Sequence, residues 1–172
     1  ERGYVCSWKG AANEAVLSKS RFRVEVVPGH DDQIRLVSVH FSTAARKEYL
    51  HVTSADYNAQ RRYIVSRRTA ASDGVLSKAR FQVEAVPSAA DLVQEMIGKS
   101  IRLGSVQFST ADRKEYLYVP EIDHDAQRRR VLSWKEAASE SVLSKACFQV
   151  EAVPGHDDQI RLVSVHFSTA AR

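Results

Sequence analysis

Arg80-Phe81-Gln82-Val83-Glu84-Ala85-Val86 alternates polar and apolar residues with period two, placing Phe81, Val83 and Ala85 on one face of a strand. Pro87 ends it, because proline has no N–H for a ladder. Upstream, Tyr63-Ile64-Val65-Ser66 predicts another strand. Downstream, Ile101-Arg102-Leu103 runs on to Val106-Gln107-Phe108, and the switch of apolar parity near Ser105 predicts a β-bulge. Glu115-Tyr116-Leu117-Tyr118-Val119 predicts a fourth strand. Helical spacing is rarer. Asp91 to Ile97 groups its apolar residues on one side, with Ser88 as cap and Gly98 as stop, predicting one short helix in the 88–98 insertion, as a surface decoration. Ala11-Ala12-Asn13-Glu14-Ala15 predicts a single turn before Val-Leu-Ser-Lys.

This pattern occurs three times. Val16 to Pro28 returns at Val75 to Pro87 and at Val142 to Pro154, and Ser38 to Thr43 returns at Ser105 to Thr110 and Ser164 to Thr169. Lys47-Glu48-Tyr49-Leu50 returns once, as Lys114-Glu115-Tyr116-Leu117. The spacings are 59 and 67 residues, the difference lying where Pro28 to Gln33 is replaced by Pro87 to Ser100. Residues 25–46 and 151–172 differ only where Val26 becomes Ala152. A repeat of this period is one supersecondary unit used several times to build one shared core. Three units of four strands predict an all-β fold, a β-trefoil filling a single domain over 1–172, with units at about 1–52, 53–119 and 120–172. Phe22, Phe81 and Phe148 would meet on its axis with Val24, Val83 and Val150.

One strand is missing from that arithmetic. Arg46 and Gln60 are separated by Lys47 to Ala59, and those 13 residues have no third copy. The expectation is that eleven of twelve strands are present. The twelfth would be supplied by further sequence of the same protein, or by a second chain in a homo-oligomer.

At 172 residues, 44% hydrophobic and 27% charged, the chain can bury a proper core. No apolar run approaches the ~18–20 residues that span a bilayer. A net charge of +4 mildly favours acidic partners. The Arg128-Arg129-Arg130 run stands without any motif of the common nucleic-acid readers, so nucleic acid is not the expected partner. The chain begins at Glu1 and its one methionine is Met96, which suggests a processed N-terminus and a secreted protein. Cys6 and Cys147 both sit among apolar residues and read as two buried thiols in preference to one bridge.

The unit resembles the arabinofuranose-binding (AbfB-type) β-trefoil modules attached to some α-L-arabinofuranosidases. Ser38-Val39-His40-Phe41 matches the family's Ser-Val-Asn-Tyr strand, and Tyr49-Leu50-His51-Val52 its Tyr-[Ile/Leu]-Arg-His. Val75-Leu76-Ser77-Lys78-Ala79-Arg80-Phe81 matches its Phe-x-x-Asp-Ala-x-Phe, and Pro28-Gly29 and Pro154-Gly155 match its turn. The resemblance covers nearly the whole chain and implies a trefoil that binds sugar. It also implies a different sugar. The family's paired His and Asp are replaced here by Val52 and Val119, and by Lys19, Lys78 and Lys145.

That triple lysine is the leading candidate site. An ammonium offers three donors and a charge suited to a uronate or sulfate group, with Tyr49 and Tyr116 as stacking faces and His51 in the same motif. The alternative is that these lysines pair with the equally repeated Glu25, Glu84 and Glu151. Asp56 and Asp123 precede Arg61-Arg62 and Arg128-Arg129, as a sugar-holding Asp–Arg set or as turns leading into strands. His30-Asp31-Asp32 and His156-Asp157-Asp158 read as solvated turns, and His40 and His166, replaced by Gln107, as structural. No nucleophile elbow, zinc-protease helix or phosphate loop is found, and no cofactor is expected. The sequence therefore predicts a non-enzymatic, multivalent lectin for acidic or galactose-like glycans. The alternative is a protein-binding trefoil, such as a protease inhibitor or a defence or storage protein, with the 88–100 insertion as its exposed loop.

Overall fold

The alternating stretches fold as hairpins in a computed structural model that describes residues 2–9, 12–67, 72–84 and 92–168. The first unit holds β1 (Arg2–Tyr4), β2 (Cys6–Trp8), α1 (Glu14–Lys19), β3 (Phe22–Val27), β4 (His30–Ser38) and β5 (Leu50–Asn58). The second holds β6 (Arg61–Arg67), α2 (Asp73–Lys78), β7 (Phe81–Glu84), α3 (Leu92–Met96), β8 (Ser100–Ser105) and β9 (Tyr116–Tyr118). The third holds β10 (Asp123–Asp125), β11 (Arg128–Arg130), β12 (Leu132–Trp134), α4 (Glu140–Lys145), β13 (Phe148–Val153), β14 (His156–Ser164) and α5 (Val165–Ser168). The protein is mostly β-sheet with small helices. No described helix is long and apolar enough to cross a membrane.

Three hairpins carry the same register, with Phe22 opposite Ser38, Phe81 opposite Ser105 and Phe148 opposite Ser164. Gly29 and Gly155 turn two of them at φ +78° and +77°, a conformation a side chain would strain. Each hairpin also pairs with the next: β4 with β7, β8 with β13 and β14 with β3. The six strands therefore close into a ring without a free edge. Inside it lie Val24, Val83, Val150, Phe81 and Phe148, with Phe22 partly buried against them.

Three local expectations are corrected. Val106–Phe108 form a turn after β8, so the parity switch at Ser105 marks a change of direction and not a bulge within one strand. The 88–98 insertion does hold a short helix, α3, but its Met96 is fully buried in the core, so this helix packs inward. The expected cap Ser88 lies outside the described residues. The helical turn expected over Ala11–Ala15 forms further along, as α1 over Glu14–Lys19, repeated as α2 and α4, and Ala11 lies outside the described residues. Asn13 Oδ1 and Ser139 Oγ accept from the backbone N–H three residues on, which satisfies donors that helix starts leave open. Cys6 and Cys147 are free thiols, half-buried rather than fully so.

A buried carboxylate locks the outer strands to the ring. Glu115 is fully buried; its Oε1 accepts from Ser133 Oγ at 2.6 Å and its Oε2 meets Arg62, whose guanidinium lies 4.3 Å over the Phe108 ring. Glu48 is its counterpart, 2% exposed, and accepts from Ser66 Oγ. Across β12 and β6, Ser133 faces Arg62, whereas across β6 and β1 Ser66 faces Gly3. Among the described residues Glu48 Oε2 has no hydrogen-bond partner. Removing one member of a buried ion pair strands the other, at a cost of about 3–5 kcal/mol. We therefore expect Arg62→Leu to destabilise the fold by about that much in urea melts, and Glu48→Gln by less than about 1 kcal/mol. Equal losses would show that the Arg62–Glu115 pair does not lock these strands.

Candidate functional site

Helices α2 and α4 each end in one of the repeated lysines, and each forms one wall of a cleft. The opposite wall is the strand of the preceding Lys-Glu-Tyr-Leu unit and the residues after it. At α4 that strand is β9, and the Val119 N–H donates to the Lys145 carbonyl at 3.1 Å, fixing helix end to strand. This cleft, of about 360 Å³, is lined by Arg61, Tyr118, Glu121, Trp134 and Lys145 among others. Lys145 Nζ lies 3.2 Å from Glu121. Arg61 donates to the Tyr118 hydroxyl and lies 5.2 Å from the Trp134 ring centre. Tyr118 and Trp134 meet edge to face at 5.8 Å. Burial pushes the Tyr118 phenol above its ordinary value, although the Arg61 bond opposes the shift.

The cleft at α2 is built from the corresponding positions and is larger, about 480 Å³. His51 stands for Tyr118, Ser54 for Glu121, Ala55 for Ile122, Gly74 for Ser141 and Lys78 for Lys145. The smaller side chains on the strand side widen it. Lys78 makes no ion pair among the described residues, whereas Lys145 faces Glu121. His51 is buried, and its Nδ1 lies 3.3 Å from the Tyr49 carbonyl, which calls for the proton on that nitrogen. Lys19 occupies the third position, exposed at the end of α1. The sequence holds no third copy of the strand that walls the other two clefts.

The remaining candidates lie elsewhere. Tyr49 and Tyr116 are 7% and 8% exposed, so neither presents a face for stacking. Their hydroxyls donate to Glu25 at 2.9 Å and to Glu84 at 2.8 Å. Those glutamates pair with Lys47 and Lys114, leaving Lys19, Lys78 and Lys145 unpaired with them. Asp56 accepts from Lys135 at 2.8 Å, which lowers its carboxyl below the ordinary range, and Asp123 pairs with Lys9 at 2.6 Å. Both aspartates brace outer strands, away from the clefts. In the His-Asp-Asp segments, Asp32 accepts from Gln82 and Asp158 from Arg23. No group of three or more His, Cys, Asp or Glu among the described residues could hold a metal ion.

Tyr118, Glu121 and Trp134 escape the sequence reading as site residues, and Arg61 enters it only within the Asp–Arg set, whose Asp56 does not line the cleft. A signal did exist, since Ser133-Trp134-Lys135 repeats Ser7-Trp8-Lys9. Comparison of the chain with protein-family models, curated proteins and solved structures finds nothing that matches.

The buried tyrosines give a pH signature. Burial, then the hydrogen bond and charge of Glu84, push the Tyr116 phenol up to about 12. The fold thus holds a proton that the unfolded chain releases near pH 10. This contribution is complete below about pH 10 and is lost as the pH rises through about 12. Urea melts should show stability declining over that window, and Tyr116→Phe should remove part of the decline. An identical pH profile in the variant would exclude Tyr116 as a cause.

Proposed function

We propose that the protein is a non-enzymatic carbohydrate-binding module of β-trefoil architecture, acting through its two strand–helix clefts on acidic glycans. The closed six-strand ring with outer strands around it supports the trefoil reading. One observation carries the functional reading: a cleft of the same construction is formed twice, each time with a lysine at the last turn of its helix wall. Secretion would place such a module among extracellular glycans.

The two clefts are suited to different parts of a ligand. Beside α4, Tyr118 and Trp134 provide an apolar wall, with Arg61 and Lys145 as donors and Glu121 as acceptor. An amphipathic wall with a few convergent polar groups is how small polar ligands are commonly held. Its formal charge is +1. Beside α2, Lys78 stands with Ser54, Thr53 and Ser72 as neutral partners, again +1. Uronate or sulfate groups match both, and two modest sites on one chain gain strength when a single polysaccharide spans them.

Calorimetry with a uronate- or sulfate-bearing oligosaccharide and its neutral analogue tests this. The acidic ligand should bind more tightly, and binding should weaken with added salt. Lys78→Ala with Lys145→Ala should weaken it by at least about tenfold, since each lysine contributes a charge-assisted hydrogen bond of about 1.5–3 kcal/mol. Unchanged affinity in a folded double variant would remove the lysine clefts from consideration.

A further inference from the structure

The buried carboxylate is found twice and the arginine over a phenylalanine twice, but they coincide only once. Arg129 lies 4.1 Å over the Phe167 ring, as Arg62 lies 4.3 Å over Phe108. Ser7 faces Arg129 across β2 and β11, as Ser133 faces Arg62 across β12 and β6. Glu115 fills the space between Arg62 and Ser133. Among the described residues no carboxylate meets Arg129 or Ser7. Nearby, Glu151 corresponds to Glu25 and Glu84, each of which holds a lysine and a tyrosine hydroxyl. Glu151 is exposed and has no side-chain partner among the described residues. The backbone repeats the pattern. β12 is flanked by β6 and β9, and β6 by β12, β1 and β5, whereas among the described strands β2 pairs with β11 alone.

We infer that the open edge of β2 is a docking site for an extended peptide of the Lys-Glu-Tyr-Leu pattern, which adds as a strand beside it. In β9, Leu117 stands opposite Ser133 and Tyr116 opposite Trp134. The same register sets the peptide's leucine opposite Ser7 and its tyrosine opposite Trp8. Its glutamate reaches Arg129 and Ser7. Its lysine and tyrosine reach Glu151, and its leucine enters the core as Leu50 and Leu117 do. Two charges on the protein, Arg129 and Glu151, thus meet three complementary groups on one short strand, while backbone hydrogen bonds supply affinity that does not depend on sequence. A second copy of this chain is a poor donor, because Lys47–Leu50 and Lys114–Leu117 are already engaged at home through Glu25, Glu84, Ser66 and Ser133.

The probe is a blocked synthetic peptide of residues 46–53, titrated by fluorescence anisotropy into the 172-residue protein. One peptide should bind per chain. Changing the peptide's glutamate to glutamine should weaken binding by at least about tenfold, the loss of one charge-assisted bond. Glu151→Gln in the protein, an exposed position that leaves the core untouched, should weaken this peptide but not a version with alanine for lysine and phenylalanine for tyrosine. Absence of binding would overturn the inference, as would binding indifferent to both charge changes. A dimer in sedimentation that excludes the peptide would overturn it too, by assigning the edge to a second copy.

Discussion

Three cross-strand pairs, Phe22 with Ile160, Phe81 with Ile34 and Phe148 with Ile101, join the end of each hairpin to the start of the next. Without them the protein would be three separate hairpins, each with two exposed edges and too little buried surface to stand alone. With them the strands close on themselves, and aromatic–branched pairs opposite one another are among the stronger stabilisers of a sheet. The lysines depend on the same constraint. Each helix ends three residues before the phenylalanine, at Lys19, Lys78 and Lys145, so ring closure sets where every helix wall stands. The clefts are a consequence of how the core is closed.

Once the backbone is fixed this way, the side chains are free to differ, and they do so most at the clefts. His51 and Tyr118 hold equivalent places, as do Ser54 and Glu121. Buried positions behind them are nearly constant: Val52 and Val119, Leu50 and Leu117, Val75 and Val142. Residues that pack against one core are constrained by its volume. Residues facing the cleft are not, and their divergence gives two sites of equal formal charge but different polarity. A ligand spanning both would therefore bind in one direction, which three identical sites would not impose.

The sequence disclosed the strands because alternation with period two survives in short segments, and it disclosed the hairpin turns because Pro-Gly marks them at Gly29 and Gly155. It led to Lys78 and Lys145 because a repeated change of charge is visible without coordinates. The six-residue helices were hidden, since fewer than two turns leave no helical period to count. Tyr49 and Tyr116 were misplaced for a different reason. Alternation assigns a residue to a face of the sheet, but helices α2 and α4 pack against its second face, so both faces can be buried. Val37, Tyr49, Ala79 and Leu76 form a separate small cluster on that second face. Met96 shows the converse: an insertion read as surface decoration contributes a fully buried side chain, because a short amphipathic helix beside an exposed barrel end gains by turning its apolar side inward.

Internal repetition also gives the molecule its own controls. Among the described residues, Glu115 with Arg62 and Ser133 is a complete set, Glu48 with Ser66 and Gly3 lacks the cation, and Arg129 with Ser7 lacks the anion. The aromatic that accompanies each set reports the difference. Phe108 and Phe167 lie beneath guanidinium groups and are partly buried, whereas Phe41, with glycine in place of arginine, is 41% exposed. A buried carboxylate without its cation is costly unless other donors hold it, and here Ser66 holds one oxygen of Glu48. The ring tolerates two incomplete sets because its closure rests on the phenylalanine–isoleucine pairs and not on these charges. The charges instead determine which outer strand can lie on which edge, so an arginine without a carboxylate specifies the chemistry of the strand that would complete it.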